Sequence, residues 1–312
     1  MKQYLELLKE IVEDGVVKPN RTGVDTIGIF GSRIKMNLRD GFPILTTKKM
    51  FMRGIIEELL FFLRGDTDTN KLSEKGVKIW EANTTREFLD NKGLDYPAGE
   101  MGPGYGFQWR NFGGTYKDAP NIQFDPMSTD AKARGPWSED PRDTGIYKLN
   151  DGVDQIAQVV ETLKKNPNDR RMLVSAWNPL QVPDTALPPC HLLYQFYVDN
   201  HKRLSCQFYM RSIDVPLGLP FNIASYAFLT HIIAAVTGHD VGNLIFVGGD
   251  THIYVNQMDG VNEQLDREPL ELPEFFWHQK PESLHDITEL SPADFGMEGY
   301  ISHPRINFPF AT

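Results

Sequence analysis

Two cysteines, Cys190 and Cys206, are all that the 312 residues contain. So few thiols exclude a disulfide-built scaffold, and each cysteine must be judged by itself as core filler or as nucleophile. No uninterrupted apolar run approaches the roughly 20 residues that a membrane span requires. The opening MKQYLELLKE has no apolar stretch of signal-peptide length. The expected protein is cytoplasmic, with reduced thiols and no membrane partner. A GxGxxG loop, a Walker-type loop, an internal repeat and a low-complexity tract are all missing. Positive charge is short as well: 32 Lys and Arg stand against 42 Asp and Glu, for a net charge of -10. That balance repels nucleic-acid backbones and argues against a polymer-binding role. A small phosphorylated ligand needs only a few arginines in one pocket and stays open.

What is present is 40% hydrophobic residues, enough for a substantial core in one large domain or two ordinary ones. Leu5, Leu8, Ile11 and Val12 follow helical spacing and Gly15 can stop that helix. The segment IGIFGSRIKMNL mixes β-branched and aromatic residues with glycines, which predicts a bent or bulged strand. Residues 53–64, RGIIEELLFFLR, read as a helix with Arg53, Glu57 and Arg64 on one polar face. Glu58 does not join them. It falls among Ile55, Phe61 and Phe62, where an ionised carboxylate is costly without a partner or a purpose. From 113 to 150 the chain turns rich in Gly, Pro, Asp and Ser, the pattern of a polar surface insertion within one domain spanning 1–312. A helix at about 151–165, strands around MLVSAW, HLLYQFYV and RLSCQFYM, a long apolar helix at about 220–237 and a strand at LIFVG follow. This order predicts an α+β fold rather than a doubly wound one.

Cys190 lies in ALPPCHLLYQF, where two prolines stiffen the approach and His191 precedes an apolar strand. Cys206 alternates inside LSCQFY and reads as a buried structural thiol. Arg21 in PNRTG, Arg170 and Arg171 in NDRRM, and Arg211 in YMRSID each sit at a turn or strand end. Singly they are ordinary surface residues. Together in an acidic chain they point to a phosphate site whose field would favour the Cys190 thiolate.

The segments NRTG, LPPCH, MRSIDVPLGLPFNIASYA and GGDTHIYVNQ, in this order and spacing, resemble the thymidylate synthase family. The likeness runs from Tyr4 to Ala311 and Thr312, with 113–150 as an insertion. It implies a large bent mixed β-sheet packed with helices, and a sheet-to-sheet homodimer whose two sites each borrow Arg170 and Arg171 from the other subunit. The implied reaction is one-carbon transfer from 5,10-methylenetetrahydrofolate to C5 of dUMP, giving dTMP and dihydrofolate, with no metal. In the family pattern Cys190 attacks C6, and Arg21, Arg211, Ser212 and the borrowed arginines hold the phosphate. His252 and Tyr254 meet the deoxyribose hydroxyl, and Glu58, His191 and Asn222 with ordered water stabilise charge on O4 and move protons. Trp80, Tyr105 and Asp214 match positions near the folate, Asp214 at the pterin ring. The terminal residues, Ala311 included, fold over the ligands. Asn222 is expected to open the long helix, and its amide suits uracil better than cytosine.

Gly104, Met210, Gln257 and Thr312 depart from the usual family pattern around the folate and the closing tail. Capture of the transferred carbon by water instead of hydride, as in a dUMP hydroxymethylase, is the nearest alternative activity. A Cys-His acyl-transfer hydrolase leaves the arginines and Asn222 unused. A non-catalytic nucleotide or RNA-binding module conflicts with the acidic balance.

Overall fold

The computed structural model describes residues 1–116 and 152–310, together with the backbone of 137–139 and 147–149. Helix α1 (Lys2–Asp14) ends at Gly15 as its spacing predicts, with Tyr4, Leu7, Leu8 and Ile11 as its buried stripe. Two strands follow, the short β1 (Val16–Lys18) and the long β2 (Thr26–Asn37). Gly31, at φ +90°, takes β2 through a conformation that costs other residues dearly. The register of β2 against its neighbour is the same before and after Gly31, so the strand carries a kink and no bulge there.

The insertion predicted at 113–150 falls mostly outside the described residues. Within it, the backbone of β3 (Trp137–Glu139) pairs antiparallel with β4 (Tyr147–Leu149). Strands β5 (Leu173–Ser175), β6 (His191–Val198), β7 (Arg203–Asp214) and β8 (Asp240–Tyr254) complete a six-stranded sheet in the order β1-β2-β8-β7-β6-β5. All neighbours in it are antiparallel except β7 and β8, which are parallel. A parallel pair needs a crossover, and the helix Gly218–Thr237 supplies it. This is the mixed α+β order expected from the sequence. Strand β8 runs beyond the predicted LIFVG at both ends, from Asp240 through Gly249 and Asp250 to Tyr254.

The chain's other helices include α2 (Met52–Leu63), the short α3 (Asn70–Ser73) and α4 (Arg86–Asn91), α5 (Tyr105–Asn111) and α6 (Gln155–Lys165). The crossover helix is α7. By length and composition α7 could cross a membrane, which the reading of uninterrupted apolar runs did not register. Of its apolar window 72% is buried inside the fold. Phe228 packs 4.3 Å from Phe42, and Tyr226 stacks on Phe208 of β7 at 4.2 Å, so α7 is the core helix beneath the sheet. Each large apolar side chain buried there contributes on the order of 1.5–3 kcal/mol relative to exposure.

Two expectations for the helices change. The polar face of α2 is covered only in part: Arg53 is exposed, but Glu57 is only 4% exposed and pairs with Lys75 at 2.7 Å, and Arg64 donates to the carbonyls of Thr288 and Leu290. Helix α7 starts at Gly218, with Pro220 in its first turn where a missing N–H costs nothing. Asn222 therefore stands in the second turn and caps nothing.

A buried ion pair ties three helices together beside the site. Arg110 of α5 binds Asp154 through Nε and Nη2 (2.8–3.1 Å) and donates through Nη1 to Leu63 O of α2. Asp154 also caps α6 by accepting from Ala157 N at 3.0 Å.

Candidate active site

Pro188 and Pro189 bring the chain to Cys190 at the mouth of β6. Between His191 and Leu193 the pairing with β7 shifts by one residue. Such a bulge re-aims the side chains next to it. Arg211 of β7 holds the turn from across the ladder: its N–H donates to Cys190 O at 2.9 Å, and its guanidinium donates to Pro189 O and Pro188 O, each at 2.8 Å. The same Nη2 reaches Cys190 Sγ at 3.7 Å. Arg211 is thus a brace for the cysteine turn as well as a cation. Its Nη1 has no hydrogen bond among the described residues.

Burial pushes the Cys190 thiol above its ordinary range, and the charges of Arg211 and Arg21 pull it back only in part. Arg211 and Arg21 do favour the thiolate, as their charges imply, and burial, which the sequence did not show, opposes them with the larger effect. Cys206 is fully buried, and its thiol is raised for the same reason, with no cation opposing. It is the inert thiol that its alternation implies.

Tyr105, first residue of α5, accepts from Cys190 N at 2.8 Å and stacks on His191 at 4.1 Å. His191 is buried, its Nδ1 shares a hydrogen bond with Tyr226 OH at 2.8 Å, and burial lowers its pKa to about 3. It is a neutral imidazole at physiological pH. Trp80 lies 6.1 Å from Tyr105 and donates Nε1–H to Glu58 Oε1 at 2.8 Å. Burial raises the Glu58 carboxyl to about 7, against the opposing pull of that hydrogen bond. The carboxylate that looked out of place on an apolar helix face is thus poised between its two protonation states at neutral pH.

Asn222 is half-buried, and its amide makes no hydrogen bond among the described residues. Tyr226 follows one turn later on the same face of α7, so the helix carries the free amide beside the partner of His191. The sequence reading missed Tyr226. Its only signal was the i, i+4 spacing from Asn222.

Asp214 is the last residue of β7, not a solvated loop carboxylate. Oδ1 accepts from Leu217 N at 3.0 Å and Oδ2 from Gln257 Nε2 at 2.9 Å, and burial raises its pKa. In the parallel ladder Ser212 is opposite Asp250 and Asp214 opposite His252. His252 Nδ1 meets Asp250 Oδ1 at 2.8 Å, and the His252 ring stands edge-on to Tyr254 at 5.3 Å. Ser212, His252 and Tyr254 therefore share one end of the β7–β8 pair.

Arg21 is exposed, in the turn between β1 and β2, where Asn20 Oδ1 accepts from Thr22 N at 2.9 Å. Its charge is felt at both Cys190 and Tyr254. Arg170 and Arg171 are not brought to this cluster. Arg171 is clamped by Asp169 (2.6 and 3.0 Å) with its side chain 88% exposed. Arg170 lines an open groove of about 580 Å³ together with Arg33, Lys35, Gln195, Gln207 and Asn243. That groove lies on the sheet face opposite the core. Of the departures, Met210 is buried opposite His191, Gly104 precedes α5 as its N-cap, and Gln257 is buried against Asp214. Ala311 and Thr312 lie outside the described residues.

Comparison with known proteins agrees in extent with the whole chain. The profile of the family described as thymidylate synthase matches residues 2–312. The chain is 45% identical over 311 residues to the thymidylate synthase of Homo sapiens, covering 99% of this chain and 90% of that protein. It is 44% identical to the thymidylate synthase of equine herpesvirus 2, with 99% and 98% covered. With the thymidylate synthase of Saccharomyces cerevisiae it shares 45% identity over 322 residues, with 100% and 97% covered.

Proposed function

From the premise that this chain belongs to the thymidylate synthase family, we propose a residue-level account of its reaction. The reaction is methylation of dUMP to dTMP with 5,10-methylenetetrahydrofolate as co-substrate. The whole chain acts as one catalytic domain, with the stretch at about 113–150 as an insertion.

Cys190 Sγ bonds to C6 of the pyrimidine, which makes C5 nucleophilic enough to take the one-carbon unit. Burial raises the thiol, so its ionisation rests on the charges of Arg211 and Arg21, which pull it the other way. As charge develops on O4, the half-protonated Glu58 and the neutral His191 pass protons through ordered water. Asn222 reads the base, because one amide can accept from N3–H and donate to O4 together. Tyr105 fixes the nucleophile by accepting from its backbone N–H. Arg21, Ser212 and the free Nη1 of Arg211 take the phosphate, while His252 and Tyr254 take the sugar hydroxyl. Trp80 and Asp214 meet the folate, and Ala311 belongs to the segment that closes over it.

The supply of positive charge for a phosphate dianion is completed by Arg170 and Arg171 of the partner subunit in a homodimer. Support comes from where those residues stand in their own chain: Arg170 lines the open groove with Tyr197, which is 65% exposed, and the Arg171 side chain is 88% exposed. A twofold contact through that face would carry each pair toward the other subunit's site.

The observation that carries the proposal is the linked set of Glu58, Trp80, Tyr105, His191 and Tyr226 packed around the backbone of Cys190. A Cys-His acyl-transfer site needs an imidazole on the thiol, whereas among the described residues Cys190 Sγ is reached by Arg211 Nη2 and His191 Nδ1 is engaged by Tyr226 OH. The test supplies dUMP and 5,10-methylenetetrahydrofolate together and analyses both products. The expected result is dTMP by mass, with one dihydrofolate per nucleotide by absorbance. A product heavier by one oxygen, formed without the absorbance rise, would instead assign hydroxymethylation.

A further inference from the structure

Gln257 ends the short turn Val255–Gln257 that follows β8, and it is 1% exposed. Its side-chain oxygen accepts from Tyr254 N at 3.1 Å. Its Nε2 makes two donations, to Asp214 Oδ2 at 2.9 Å and to Pro309 O at 3.1 Å. A primary amide has two N–H bonds, and both are used. The three partners fix the orientation of the amide, since the reverse would set its oxygen against a carboxylate and a carbonyl.

The three partners belong to three parts of the chain: the end of β8, the end of β7 and the C-terminal segment. That segment is pinned upstream by His303 N to Thr46 O at 2.8 Å and by Arg267 Nη1 to Pro304 O at 2.6 Å. It then packs on the helix Met258–Leu265, closely enough that a Cβ at Gly260 would meet Phe308 at 2.7 Å. Lys48 Nζ stands 4.6 Å from the centre of the Phe308 ring. Among the described residues, no hydrogen bond lies nearer the chain's end than the one from Gln257 to Pro309. Phe310 beyond it is 64% exposed.

Asp214 depends on the same amide. Burial works against its charged form, and the Gln257 N–H is foremost among the contacts that restore it. The other oxygen is held by Leu217 N, at the start of the helix that carries Asn222.

We propose that Gln257 is a positioning residue that makes seating of the C-terminal segment and alignment of the Asp214 carboxylate a single event. This rests on the reading that Asp214 meets the folate. A chain whose tail has lifted loses one acceptor of the amide, and the amide can then turn away from Asp214. A tail in place holds the amide toward Asp214, so folate affinity and closure rise together. No new contact to the nucleotide is involved.

The test compares the full-length protein with Gln257→Leu and Gln257→Glu. The first removes all three hydrogen bonds at similar size; the second keeps the acceptor and removes both donations. KM for 5,10-methylenetetrahydrofolate is expected to rise about 10-fold or more, and kcat to fall by a similar factor, on the loss of a hydrogen bond to a buried charge. KM for dUMP stays within about 3-fold. Hydrogen exchange of residues 304–312 reads the tail directly. With dUMP and tetrahydrofolate bound, exchange there slows in the wild-type protein and stays fast in both variants. Unchanged folate KM, or tail exchange that slows as in the wild type, overturns the coupling. A parallel loss of dUMP binding and thermal stability in both variants makes Gln257 merely structural and also overturns it. Failure of the wild-type protein itself to convert dUMP would strike the reading of the site, and is separately visible.

Discussion

Replacing Glu58 by Gln removes an ionisation while keeping the shape and the hydrogen bond from Trp80. Glu58 has a pKa of about 7 in the folded chain against an ordinary 4.5, because burial penalises its charge more than Trp80 supports it. A folded pKa above the unfolded one means that the folded state binds more protons between those values. The contribution to stability is complete below pH 4.5 and is lost as pH rises through 7. The full shift corresponds to at most about 3 kcal/mol, and solvent at this half-buried side chain reduces it to on the order of 1–2 kcal/mol. Glu58→Gln cannot lose it. Urea midpoints at fixed protein concentration should therefore show the variant gaining on the wild type by about that amount between pH 5 and pH 8. Activity gives a second reading of the same group. The wild-type kcat/KM should bend near pH 7, and the variant should be lower by about 10²–10³ with no bend there. His191, near 3, does not titrate at that point, and a step from Lys48, near 8, is the same in both proteins. A stability difference independent of pH, together with a bend near 7 that survives in Glu58→Gln, would refute the assignment.

Three further outcomes are expected. Asn222→Asp should raise activity on dCMP relative to dUMP, since a mispaired buried polar group costs about 1–3 kcal/mol; an unchanged ratio would remove Asn222 as the reader of the base. Arg171→Glu and Cys190→Ser should each be inactive alone, and mixed subunits should recover about one working site per hybrid dimer if the arginines act across the interface. No recovery from demonstrated hybrids would place Arg171 in its own chain's site. Asp154→Ala should lower stability by about 3–5 kcal/mol by taking the pairing carboxylate from the buried Arg110 charge, read by urea unfolding with dUMP affinity little changed.

The sequence was most informative where a residue contradicted its surroundings. Glu58 among Ile55, Phe61 and Phe62 stood out before any contact was known, and its raised pKa follows from that same burial. Cys206 in an alternating strand read correctly as core. Local pattern could not reveal contacts made across long separations. The Tyr226 bond to His191 and the Gln257 bridge between Asp214 and Pro309 join residues 35, 43 and 52 positions apart. Strand β8 was read too short because the stretch after LIFVG, GDTHIY, is polar and begins with glycine, although it is held in the ladder by β2 and β7. The start of α7 was set two residues late because Pro220 looks like a boundary, while a first-turn proline is harmless. The one-residue shift beside His191 has no signature in HLLYQFYV at all.

The central claim is that Cys190 is the nucleophile, and Cys190→Ser tests it most directly. Turnover and equilibrium dUMP binding are measured on the same preparation, beside Cys206→Ser as the buried-thiol control. A serine hydroxyl is far less ionised than a thiol under the same arginines, so turnover should fall by at least about 10³ while the dUMP Kd moves by less than about 3-fold. Cys206→Ser should lose stability and keep its chemistry. Wild-type turnover by Cys190→Ser would contradict the account.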